Sequence, residues 1–151
     1  MPISPEHLRD FARKHACGQS DEVALRAASS RSYYAAFHVL HPFVDQLPSS
    51  RRCPPNARHV SHAEMIERLR EWRTDRLGVD LGCLVPLKSK LVVRLIAARN
   101  ARVRADYQMN ADVSLGEVKD QICRVRGIVE AVMKINNEII RLKRSANRPT
   151  S

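Results

Sequence analysis

The chain has 151 residues and a formal net charge of +10, and 20 of its 26 basic residues are arginines. That length suits one domain with a real core, and an apolar fraction of 44% with only five glycines excludes an extensively disordered chain. The excess of guanidinium groups, whose planar fork fits phosphate, points to an anionic partner such as RNA or a nucleotide.

Helix signals follow one another along the chain. Ser4-Pro5-Glu6 sets a cap residue before a first-turn proline and an acid. Leu8, Phe11, Ala12 and His15 then share one face, and Cys17-Gly18-Gln19 ends this first helix. Ser20-Asp21-Glu22 opens a second helix predicted to reach about Gln46. Pro42 lies inside it and removes the donor that would serve the carbonyl of His38, so a kink or an end is expected there. Residues 48–59 read as a loop that carries Arg51, Arg52 and Arg58 as a solvated basic patch.

Ser61-His62-Ala63-Glu64 has the form of a capping box for a third helix, with Met65, Leu69 and Trp72 on its apolar face. Gly78 and Gly82 loosen the connection that follows. Pro86 opens a fourth helix predicted to run to about Tyr107, striped by Leu87, Leu91, Leu95 and Ala98. Its apolar character on most sides as far as Arg99 predicts a central position. Ser114-Leu115-Gly116-Glu117 is a second capping box, and a fifth helix extends to about Lys143. The pattern predicts an all-α, antiparallel bundle of four to five helices, a single domain over residues 1–145 with a frayed tail over 146–151.

Other features narrow the class. Cys17, Cys53, Cys83 and Cys123 form no CxxC pair and no zinc spacing, which reads as free thiols in a reducing cytosol. His59 and His62 lie three apart with no acidic or cysteine ligand beside them, so no metal and no cofactor is expected. The N-terminus lacks signal-peptide character, and the longest apolar stretch, Leu91 to Ala98, contains Arg94 and is too short for a bilayer. A soluble, cytoplasmic protein with no membrane partner is expected.

Two polar signatures interrupt this apolar frame. Arg31, Tyr34 and His38 fall at i, i+3 and i+7, and Arg99, Arg102 and Asp106 repeat that spacing. If the two helices pack together, guanidinium, imidazole, carboxylate and phenol groups meet in one cleft. The structural alternative is an interhelical salt bridge between Arg31 and Asp106. Tyr33 and Tyr34 read as core or interface residues with hydrogen-bonded hydroxyls.

Ser30-Arg31-Ser32-Tyr33-Tyr34-Ala35-Ala36-Phe37-His38, His62 at the start of the third helix, and Arg102-Val103-Arg104-Ala105-Asp106-Tyr107 resemble, in order and spacing, the HEPN superfamily in its small stand-alone members. The resemblance spans roughly residues 20–140. It implies a helical bundle that forms homodimers and works in toxin–antitoxin or phage-defence systems, often beside a nucleotidyltransferase-fold antitoxin. Many members are metal-independent ribonucleases; others are non-catalytic interaction or scaffold subunits.

The ribonuclease motif begins here as Arg99-Asn100, and Arg104 stands where a histidine is expected. Metal-free RNA cleavage needs a base for the 2′-hydroxyl and a cation for the phosphorane, and an arginine supplies only the second. The catalytic candidates are therefore His38, Arg99, Asn100 and Arg104. Arg31, Tyr34, Arg102 and Asp106 are the RNA- or nucleotide-binding candidates. Tyr107 matches the tyrosine that the resemblance implies as an adenylylation target.

Overall fold

The computed structural model describes residues 3–18, 20–51, 60–72 and 84–146. These form five helices and no strand: α1 (Pro5–His15), α2 (Glu22–Val44), α3 (His62–Glu71), α4 (Val85–Tyr107) and α5 (Leu115–Ala146). The all-α bundle expected from the helical periodicity is what the chain adopts. Among the described residues no helix is long and apolar enough to cross a membrane.

Local cap chemistry explains most of the helix starts. Ser4 Oγ accepts from the His7 amide, and the His7 ring accepts from the Ser4 amide, so His7 closes the box that begins α1. Asp21 caps α2 through the Ala24 amide at 2.7 Å. At α5 the Ser114 amide donates to Glu117 at 2.8 Å, and Ser114 Oγ accepts from the Glu117 amide. α5 runs three residues past the expected Lys143 end, to Ala146, beyond which the expected frayed tail lies outside the described residues. α2 passes through Pro42 and stops at Val44, two residues short of the expected Gln46.

The Ser61 box is only half made. Ser61 Oγ accepts from the Glu64 amide, but the buried Glu64 carboxylate takes the Ser50 amide at 2.9 Å, the Ser50 hydroxyl and Arg68 Nε at 2.7 Å. The acid therefore ties the loop after α2 onto α3. Arg51 is exposed, and Arg52, Arg58 and His59 lie outside the described residues, as do Cys53, Gly78, Gly82 and Cys83.

The centre of the bundle is α2, which packs on all four other helices, whereas α4 packs on α2, α3 and α5. This corrects the expectation that α4 is the central helix. α4 keeps an exposed side at Val93 and Arg94, while α2 buries Ala28, Ser29, Ser32, Ala35 and Ala36, small residues that let several helices come close. The main core gathers Tyr33, Leu40, Met65, Leu69, Leu91, Leu95, Ile128 and Ile135, and a smaller one joins Ala12, Leu25, Ala28, Ala105, Val113 and Val118.

Two cations close helix ends. Arg26 of α2, held by Glu22 at 2.9 and 2.6 Å, donates to the carbonyls of Arg104, Ala105, Gln108 and Ala111 where α4 ends. Lys88 of α4 donates to the carbonyls of Arg70 and Trp72 where α3 ends.

Candidate functional site

The packing of α2 against α3 and α4 brings part of the predicted set together. Tyr33 is fully buried and shares a 3.0 Å hydrogen bond with His62 Nδ1. Burial pushes the Tyr33 phenol up to about 12 even though Arg99 and Arg102 pull it down, so the hydroxyl keeps its proton. Burial also lowers the pKa of His62 below the ordinary histidine value, and the charges of Arg102, Arg99 and His38 lower it further. At neutral pH His62 is therefore a neutral imidazole, and in the tautomer whose Nδ1–H donates to Tyr33 its Nε2 is free to take a proton. The Phe37 ring packs against His62, tilted by 58° with the ring centroids 4.3 Å apart.

Arg102 is the most heavily committed cation. Its Nη2 donates to Tyr34 Oη at 2.7 Å and to Tyr107 Oη at 3.3 Å, and its guanidinium lies over both rings at 5.3 and 5.0 Å. Its Nε lies 2.6 Å from Asp106 Oδ2, a charge contact without an aligned N–H bond. Burial works against its charge, but the Tyr107 hydroxyl and the Asp106 carboxylate outweigh burial and raise its pKa. Arg99, one turn earlier, is half-buried and close enough to act electrically on Tyr33 and His62, yet it forms no hydrogen bond or ion pair among the described residues. A half-buried guanidinium with no counter-ion among the described residues has N–H groups left for water or an anion.

The rest of the predicted set is arranged differently. No Arg31–Asp106 bridge forms: Arg31 is exposed, and Asp106 accepts from Ser30 Oγ at 3.2 Å and pairs with Arg102. One residue is 100° of helix, so Ser30 turns inward and its neighbour turns out. The expected common face of Arg31, Tyr34 and His38 is likewise split. Tyr34 turns in to Arg102, while His38 stays exposed at the rim, edge-on to Phe37 at 5.7 Å.

Asn100 and Arg104 do not join Arg99. They line a separate groove against α5, where Arg104 donates to Glu117 at 2.6 Å and to the Asp112 carbonyl at 2.8 Å. The four catalytic candidates therefore divide between two sides of α4. Tyr107 is exposed.

Tyr33 and His62 are the members of this cluster outside the predicted site set. Both stood in the motifs that carry the HEPN resemblance, and Tyr33 was expected to have a hydrogen-bonded hydroxyl, but no short-range spacing pairs the two. Among the described residues no group of three or more histidine, cysteine, aspartate or glutamate side chains is placed to hold a metal ion.

No family model matches the chain, and no solved structure matches it. Among curated proteins it is similar to the "Bifunctional protein HldE" of Rhodopseudomonas palustris (strain TIE-1), 32% identical over 115 residues, which is 70% of this chain and 24% of that protein. The chain thus spans about a quarter of the length of this curated relative.

Proposed function

We propose that this chain binds RNA or a nucleotide, with Arg99 as the primary phosphate ligand and His62, Tyr33 and Arg102 around it. The observation that carries this reading is Arg99 itself, a half-buried guanidinium with no counter-ion among the described residues, beside a neutral imidazole. In a ribonuclease form of the reading, His62 or the rim residue His38 takes the 2′-hydroxyl proton, and Arg99 offsets the charge of the phosphorane. Arg104 is left out of that chemistry by its bonds to Glu117 and Asp112. The HEPN resemblance supplies the setting: a cytoplasmic toxin–antitoxin or phage-defence protein that acts as a homodimer or with a nucleotidyltransferase-fold partner.

A second reading, a non-catalytic interaction subunit, is favoured by Arg102. Its charge is already paired with Asp106, and its Nη2 is already bonded to Tyr34 and Tyr107.

The test is fluorescence anisotropy with labelled single-stranded RNA, together with cleavage in EDTA, for wild type, Arg99→Ala, His62→Gln and His38→Ala. Arg99→Ala is expected to weaken RNA binding about tenfold or more, the loss of one charge-assisted contact. Cleavage lost in one histidine variant but kept in the other identifies the base. Equal RNA affinity in wild type and Arg99→Ala overturns the phosphate assignment and leaves the interaction reading, which light scattering would then examine.

A further inference from the structure

The groove between α4 and α5 holds the half of the Arg99-to-Arg104 segment that the phosphate reading leaves unused. It is an open groove of about 300 Å³ with Asn100, Glu117 and Asp120 exposed along it, and its apolar lining comes from Ala97, Ala101 and Val113. That volume is at the lower end of small-ligand sites, which run from about 300 to 1,000 Å³.

Its charges fall into two kinds. Arg104 and Glu117 neutralise each other across the groove at 2.6 Å. Asp120 and Arg124 lie at i and i+4, the spacing at which an acid and an arginine ordinarily pair. Here they do not pair. Arg124 Nη1 donates to Gln121 Oε1 at 2.8 Å, and Gln121 is fully buried, anchored by its Nε2 to the Ala98 carbonyl at 2.8 Å. The guanidinium is therefore held by the core with N–H groups to spare. The Asp120 carboxylate makes no hydrogen bond or ion pair among the described residues.

The groove thus offers one uncommitted carboxylate and one anchored guanidinium on neighbouring turns, beside an apolar wall. A phosphate chain fits poorly, because it would meet both Glu117 and Asp120. The complement is a small molecule that carries an ammonium and a carboxylate close together with an apolar substituent. We propose that this groove binds a free aliphatic α-amino acid. Its ammonium donates to Asp120 and to the Asn100 side-chain carbonyl, its carboxylate accepts from Arg124, and its side chain rests on Ala97, Ala101 and Val113. This site is independent of the RNA reading and stands or falls apart from it.

The experiment is saturation-transfer NMR backed by calorimetric titration of the full chain with L-valine. Isobutylamine and isovalerate serve as probes that each lack one head group. Saturable L-valine binding is expected, with each single-headed probe about tenfold weaker or worse, as loss of one charged contact implies. Asp120→Asn and Arg124→Gln are each expected to weaken L-valine by a similar factor, with folding checked by circular dichroism. The comparison of valine with its two fragments decides the matter even if a variant fails to fold. Absence of saturable L-valine binding at millimolar concentration, or equal affinity for valine and either fragment, overturns the proposal. So does undiminished binding by both folded variants.

Discussion

Replacing Arg26 with alanine removes the group that closes the end of α4. Arg26 is 13% exposed at its side chain and reaches four carbonyls, at 3.5 Å (Arg104), 3.0 Å (Ala105), 3.3 Å (Gln108) and 2.6 Å (Ala111). Two of these bonds are short enough to count fully. Hydrogen bonds to a charged group contribute about 1.5–3 kcal/mol each where water is excluded, and less where it can substitute. Those two, to Ala105 and Ala111, are both part-buried, so roughly 3 kcal/mol in total is the expected loss. For a chain of this size that is about 6–12 °C in Tm.

Urea unfolding of wild type, Arg26→Ala and Arg26→Lys measures it. Lysine has one ammonium and cannot fork across four acceptors, so it should recover less than half of the loss. If the chain binds RNA as proposed, the alanine variant should also lose that affinity, because α4 carries Arg102 and Asp106 in its last two turns. A loss below about 0.5 kcal/mol, the range of an ordinary surface substitution, would show that water satisfies those carbonyls equally well and would refute the reasoning.

Three further outcomes are expected. Gly127→Ala places a Cβ 2.7 Å from Arg94 Nη1, a flexible tip that moves aside at the cost of its exposed 3.1 Å bond to the Gly127 carbonyl, so the helix-propensity gain of about 1 kcal/mol is largely offset and stability stays within about 0.5 kcal/mol of wild type; a measured loss above about 2 kcal/mol would mean that Arg94 cannot move aside. Glu64→Gln removes the charge that holds the Ser50 amide, the Ser50 hydroxyl and Arg68, with about 2 kcal/mol lost in urea unfolding and faster proteolysis near Ser50, whereas unchanged proteolysis would show that the loop is held by something else. His62 has a folded pKa below its unfolded value, so the unfolded state binds its proton first as pH falls. Its contribution is fully present above the ordinary histidine pKa and is lost as pH drops from there through the folded value; His62→Gln should flatten the acid side of the stability–pH curve, and an unchanged slope would contradict the burial of this imidazole.

The helix starts were readable because their chemistry is local. Ser4, Asp21 and Ser114 each bond an amide three residues away. Glu64 looked like the same device, but its carboxylate serves Ser50, 14 residues earlier, and no short-range pattern carries that information. The centrality of α2 was hidden for a related reason. Alanines and serines give little hydrophobic signal, yet they are what allows four neighbours to approach. In the site, the proximity of Arg102 and Asp106 follows from i,i+4 spacing alone. The partnership of Tyr33 with His62 depends on where α3 lands, 29 residues away along the chain. Arg31 shows the limit of face counting, since a rotation of one residue decides between the interior and solvent.

The division of α4 into two polar sides has an evolutionary meaning. A single residue inserted or deleted between Leu95 and Arg99 would turn the rest of the helix by about 100° and send each arginine toward the wrong neighbour. Length in this segment is therefore far more constrained than composition. Point substitutions, by contrast, can remodel the side facing α2 and α3 without touching the side facing α5. The two polar sides of one helix can then change independently of each other.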